Sequence, residues 1–458
     1  VVQLTSNLIY RFAYPYAPFI APALGLNLNE YAVFLLAMDL ASIGCGFIIL
    51  AFRSISKYSI AGVHMLQTVT TLLVPILVPV FAELGISLFG LVALRLLTGV
   101  GFFLLGSMQR AIIGHYVEAG HKARFLAVYE MCWNFSSIML GMFGQLIGQY
   151  GALTAFFGLG LLSLLSLFIA FPFYPEDMNV RQQEKQQHHV DSKSETGNIP
   201  LLASSKHPDS QYGSVNKIEG GSEKTEDGHK LGDGASCWGS LSGVWDLMQK
   251  NAAIVFASRV LVTYYLFNFA LTGATSAFNT NFGVWLAKDH GFDEKAVGIA
   301  TSILGFGEMA GCLLSFGLSD RLGHKNVINT FGVLACSTLV AFSLLENLVG
   351  SVLLGLTLLV LYYTLAEWCW ITGLSFVSVA TPPNVENAIT MQLLMSVGSI
   401  GSLLGTAAAH PLYRIGGYPL PTAITAVTTM VCLGIFSITT WRLPCSSKEV
   451  QSVTVPPP

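Results

Sequence analysis

The chain has 458 residues, a formal net charge of −3, 53% hydrophobic residues and only 11% charged ones. Soluble globular domains carry about a quarter charged residues, and the charges here are concentrated in one central stretch, so the composition excludes an ordinary soluble enzyme. No block of basic residues is present, which excludes nucleic acid as a partner.

Apolar runs of the length that crosses a bilayer core as helix, roughly 20 residues, recur on both sides of the central stretch. In chain order the expected spans are 3–24, 31–52, 58–82, 87–110, 125–149 and 152–174, then 255–286, 296–318, 327–346, 350–376, 388–409 and 418–441. These unbroken runs do not show the alternation of transmembrane strands. The expected fold is an all-α membrane protein of twelve transmembrane helices in two sets of six.

Span 1 contains "LIYRFAYPYAPFIAPALGL", an apolar run interrupted by Arg11, Pro15, Pro18 and Pro22. Proline is tolerated in a span where neighbouring helices or water satisfy the freed carbonyls, so the outer half of this helix is expected to bend. The chain opens on Val1, and its N-terminus is read as incomplete. Six of the eight cysteines lie in expected spans, with no CxxC and no His/Cys cluster. Neither a disulfide framework, a metal site nor a cofactor is indicated.

The domain reading places a six-helix bundle at 1–175 and a second at 251–442, followed by a tail at 443–458. Residues 176–237 are polar and Gly/Ser-rich and are expected to be a disordered linker. Within 238–250, Trp238, Leu241, Trp245 and Met248 fall at helical offsets, which suggests an amphipathic helix on the membrane face; a plain polar entry to span 7 is the alternative. Arg53, Lys57, Arg110, Lys122, Arg124, Arg321, Lys325 and Arg442 lie on the linker side, against Lys288, Lys295 and Arg414 opposite. That bias makes the linker and both termini cytoplasmic. The linker segment "YGSV" (212–215) fits a tyrosine-based sorting pattern, so an endosomal or lysosomal membrane stands beside the plasma membrane as a location.

An internal repeat is visible. "IILAFRSISK" (48–57) and "FGLSDRLGHK" (316–325) occupy equivalent turns, pairing Leu50 with Leu318, Arg53 with Arg321 and Lys57 with Lys325. "SSIMLG" (136–141) lies opposite "IGSLLG" (400–405) in the same way. Parallel six-helix repeats are a transporter architecture.

On these residues the chain resembles the major facilitator superfamily. Leu318, Asp320, Arg321, Gly323 and Lys325 fit the family's G-x-L-x-D-R-x-G-R-K loop, with Phe316 and His324 as departures. "RLLTGVG" (95–101) is similar to its span-4 pattern. The first-half loop departs further, with Phe52 in place of Asp and Ile55 in place of Gly. "GMFGQLIG" (141–148) lacks the proline of drug/proton antiporters, and "YPEDMN" (174–179) lacks the Arg that ends the sugar-porter signature. The resemblance implies a conformational latch at Asp320, Arg321, Gly323 and Lys325. Plain obedience to the inside-positive rule is the alternative for the basic pair.

Seven ionisable residues fall inside spans: Arg11, Asp39, Arg95, Glu130, Arg259, Glu308 and Glu367. Spans 3, 6, 9 and 12 carry no Asp, Glu, Lys or Arg in their interiors. A charge at the bilayer centre costs at least ~2.5 kcal/mol, so such residues face protein or a wet cavity. The four charge-free spans should therefore face lipid. Arg11 is within reach of Asp39 by depth, and pairing with it or contact with substrate are both open. Burial disfavours a charged carboxyl, which makes Glu308 and Glu367 the candidate proton carriers, with Asp39 and Glu130 as further buried charges. Cavity candidates are Arg11, Tyr14, Arg95, Asn268, Asn279, Glu367 and Trp368. Trp368 belongs to "YYTLAEWCW" (362–370), where aromatic rings flank Glu367 and could hold a cationic or flat organic molecule; packing is the alternative. Glu130 can instead join Arg124, Arg259 can snorkel, and His64 is read as a helix–helix hydrogen bond.

The expected function is secondary active transport of a small organic solute by alternating access in a monomer within the lipid bilayer, with a proton as coupling ion. An uncoupled uniporter and a non-transporting membrane sensor or scaffold are the alternatives. No phosphate-binding loop is present, so ATP-driven transport is not expected.

Overall fold

The structure, a computed structural model, describes residues 1–48, 54–116, 122–179, 249, 252–381 and 387–441. Among them the twelve expected spans are recovered. Nine helices of the described residues are long and apolar enough by themselves to cross a membrane. The three spans outside that set are 1, 5 and 7, and each has a physical reason. Span 1 is broken into α1 (Val2–Arg11) and α2 (Ala17–Ala23). Spans 5 and 7 carry many polar side chains.

The first half continues with α3 (Leu28–Ile48), α4 (Lys57–Glu83), α5 (Ser87–Tyr116), α6 (Lys122–Tyr150) and α7 (Ala152–Ala170). The second half is built of α8 (Arg259–Val284), α9 (Glu294–Leu322), α10 (His324–Val349), α11 (Val352–Ala380), α12 (Asn387–Gly416) and α13 (Pro419–Thr440). After α8 the chain passes through a wide π-helical turn, Trp285–Asp289. The repeat read in the sequence reappears as packing. In the first half α3 and α4 pack on α5, and α4 on α7; in the second, α9 and α10 pack on α11, and α10 on α13. The halves meet along two seams, α6 against α9 and α3 against α12.

The break in span 1 follows from its prolines. Pro15 and Pro18 offer no N–H to the preceding turn, and residues 12–16 form turns instead of helix. The bend expected in the outer half is thus a full interruption. Its freed carbonyls are met by side chains from neighbouring helices. Arg95 of α5 donates to the carbonyls of Ile9 (3.2 Å) and Tyr10 (3.0 Å), and Tyr31 of α3 donates to that of Ala13 (2.6 Å).

Asp177–Asn179 fall inside the segment expected to be disordered, yet they form strand β2. It pairs antiparallel with β1, Ser54–Ser56, with Ile55 opposite Met178. The backbone ladder ties the α3–α4 turn to the chain leaving α7. The rest of the linker, the 238–250 segment apart from Gln249, "YGSV", Arg53, Phe52 and the 443–458 tail lie outside the described residues.

At the α9–α10 turn Gly323 caps one helix and opens the next at φ 82°, a backbone angle that suits glycine. Arg321 beside it is exposed and Lys325 is half-buried. Arg259, expected inside span 7, is the first residue of α8 and is exposed.

Candidate functional site

Between the halves lies a cavity of about 280 Å³. Its walls come from α1, α3, α5, α6, α8, α9, α11 and α12. None of its described lining residues belongs to α4, α7, α10 or α13, the helices of spans 3, 6, 9 and 12. At the end of the bundle away from the linker, the halves close tightly over the cavity. A Cβ on Gly283 of α8 would collide with the carbonyl of Pro15, and one on Gly144 of α6 with that of Glu294. Tyr16, in the span 1 break, donates to the carbonyl of Leu140 at 2.6 Å beneath this closure.

The polar centre joins the two halves. Arg11, the last residue of α1, pairs with Glu308 of α9 at 2.5 Å. Ser137 of α6 donates to the same Glu308 oxygen at 2.9 Å. The Arg11 guanidinium also sits 4.5 Å above the ring of Trp133, an attractive placement for a cation. Asn134 of α6 donates to Glu367 of α11 at 3.0 Å and to the backbone carbonyl of Glu308 at 3.4 Å. The Arg11–Asp39 pairing expected from depth is not formed. Asp39 faces the other seam, where it accepts from Tyr10 (3.2 Å) and from Thr406 of α12 (3.4 Å).

Of the sequence candidates, Arg11, Tyr14, Asp39, Glu130, Asn279, Glu308 and Glu367 line the cavity. Tyr363 donates to Asn279, which fixes the orientation of both. Three candidates lie elsewhere. Arg95 is buried behind α1, where it caps the broken helix. Asn268 donates to the carbonyl of Leu394 in the α8–α12 contact. Trp368 faces α10, stacked on Phe331 at 3.9 Å and donating to Ser319 at 2.9 Å.

Trp370, one of the rings flanking Glu367 in the sequence, lines the cavity where Trp368 was expected, and the aromatic wall of Tyr10, Phe102 and Trp133 opposite is not visible in the sequence reading. Tyr10 stacks on Phe102 at 4.9 Å and lies 5.4 Å from Trp133. The signal for Trp370 was present: positions 363, 367 and 370 share a helix face, and 368 does not. His64 is the helix–helix bonder expected. It lies within hydrogen-bond distance of Ser163 (3.3 Å) and Ser166 (3.2 Å) of α7 and of Tyr174 (3.2 Å).

Two six-helix halves around a central polar cavity are the architecture of a membrane transporter. The sequence matches the Major Facilitator Superfamily over residues 1–406, and the chain belongs to that superfamily. No protein with a curated description matches it. Among solved structures it is similar to the inward-open xylose transporter XylE from E. coli, at 11% identity and a TM-score of 0.65, over 99% of this chain and 98% of that one. It is also similar to XylE bound to 6-bromo-6-deoxy-D-glucose, with 11% identity, a TM-score of 0.64 and the same two coverages. A mutant of the nucleoside transporter NupG matches at 13% identity and a TM-score of 0.63, over 96% of this chain and 98% of that one. At such identities the likeness shows the fold.

Proposed function

We propose that the protein is a monomeric secondary active transporter that moves a small organic solute by alternating access, with a proton as coupling ion. The observation that carries this reading is the Arg11–Glu308 pair. It spans the two halves at the cavity, beside the break in span 1. Protonating Glu308 removes the charge that holds Arg11, and freeing Arg11 releases a tie between halves next to the segment best able to change shape. Glu367 is tied to the same centre through Asn134, which bonds both its carboxylate and the Glu308 backbone carbonyl. The volume of about 280 Å³ suits a small solute.

The similar XylE structure is that of a proton:xylose symporter by its own description, which accords with a proton-coupled cycle in this fold. The Asp320, Arg321, Gly323 and Lys325 turn is assigned as a latch at the linker end. The basic residues there support a linker on the cytoplasmic side, and the membrane is read as plasma, endosomal or lysosomal.

The test is uptake of labelled solutes by the purified chain in proteoliposomes, with and without a pH gradient. Accumulation that a protonophore abolishes supports coupled transport. Equilibration indifferent to the gradient indicates a uniporter. No protein-dependent uptake across a broad panel indicates a sensor or scaffold.

A further inference from the structure

We propose that the cavity takes a small organic cation, an amine or quaternary ammonium, and that Tyr363, Glu367 and Trp370 of α11 form its recognition face. The proposal deepens the transporter reading and rests on it for the site's use, while binding alone tests the chemistry.

Charge balance comes first. Among the described residues, the polar centre of the cavity holds two carboxylates, Glu308 and Glu367, with one lining cation, Arg11. Arg11 is already matched by Glu308 at 2.5 Å. Arg95, near enough to Asp39 to act on it electrostatically, spends its two terminal nitrogens on the carbonyls of Ile9 and Tyr10. Glu367 has a single neutral donor, the Asn134 amide, and forms no ion pair among the described residues. A carboxylate removed from bulk water is costly unless a positive group or several donors meet it. A cationic solute supplies that group.

Geometry agrees. Residues 363, 367 and 370 sit at i, i+4 and i+7, so one helix face presents a ring, a carboxylate and a second ring to the cavity. Tyr10, Phe102 and Trp133 face them from the other half. The Trp133 ring already carries a guanidinium at 4.5 Å, so a cation over this aromatic wall is a placement the site itself displays. Tyr363 has its hydroxyl committed to Asn279, which leaves its ring face as the contact it offers. Anionic solutes meet the carboxylate of Glu367 and are disfavoured.

The test is direct binding to the purified full-length chain, by isothermal titration in detergent. Choline is compared with its uncharged isostere dimethylbutanol, phenylethylammonium with phenylethanol, and D-xylose serves as a neutral polyol. The expected result is that at least one cation binds roughly tenfold or more tighter than its neutral counterpart, the scale of one charge-assisted contact. Glu367→Gln removes that preference and Glu367→Asp keeps part of it. The proposal is overturned if neither cation binds, if a neutral isostere or xylose binds as well as the cations, or if Glu367→Gln retains the preference. Should Glu367→Gln fail to fold, the wild-type comparison of cation with isostere decides alone. A cation that binds but is not carried into proteoliposomes counts against the transporter reading and leaves the site assignment standing.

Discussion

Arg11 of α1 and Glu308 of α9, 297 positions apart in sequence, form an ion pair across the two halves at 2.5 Å. The pair sits where span 1 stops being helical, so charge and backbone break coincide. Both side chains are largely withdrawn from solvent, at 17% and 7% exposure. Removing one partner leaves the other charge poorly compensated, whereas removing both does not. Arg11→Gln and Glu308→Gln should each lower stability, and the double variant should recover part of the loss. A double-mutant cycle from unfolding in detergent should give a coupling of about 1–3 kcal/mol.

Arg95 should behave as a structural residue. Its two hydrogen bonds go to carbonyls that the break in span 1 leaves without helical donors. Arg95→Ala strands both, and each buried unsatisfied group costs roughly 1–3 kcal/mol. The expected outcome is a loss of at least ~2 kcal/mol in unfolding measurements, with ligand preference unchanged in whatever protein remains folded.

Trp368 and Trp370 should separate cleanly. Trp368→Ala removes a buried stack on Phe331 and a hydrogen bond to Ser319, a change of the kind that costs about 3–5 kcal/mol. Trp370→Ala opens the wall of an existing cavity and should cost less than half as much while weakening solute binding. Thermal unfolding and titration of the two variants side by side check this; the reverse ordering would contradict the cavity assignment.

What was legible in the sequence was topology and exclusion. Charges confined to seven spans pointed to seven of the eight that wall the cavity, because the cost of placing a charge in lipid acts on each helix separately. Partners across the seam were not legible. Depth along neighbouring helices made Asp39 a reachable mate for Arg11, but it carries no information on how one half docks on the other, and Glu308 took that place. Arg95 looked like a transport residue because a buried arginine in span 4 usually seeks a carboxylate. Its actual role depends on carbonyls freed by prolines in another helix. The β1–β2 ladder was invisible for a similar reason: two three-residue strands lie far apart in sequence and have no pattern of their own.

Alternating access requires that the closure over the cavity at the end away from the linker be one of two positions of the halves. Leu84, just beyond α4, and Val349, at the end of α10, are exposed at that end on opposite halves. Spin labels at these two positions in nanodiscs measure the distance across the closure directly. A short and a long population are expected in the wild type. Gly283→Ala should shift it toward the long one, because the added Cβ collides with Pro15. Glu308→Gln should shift it the same way by loosening Arg11. A single short distance in the wild type and both variants would contradict alternating access about this cavity.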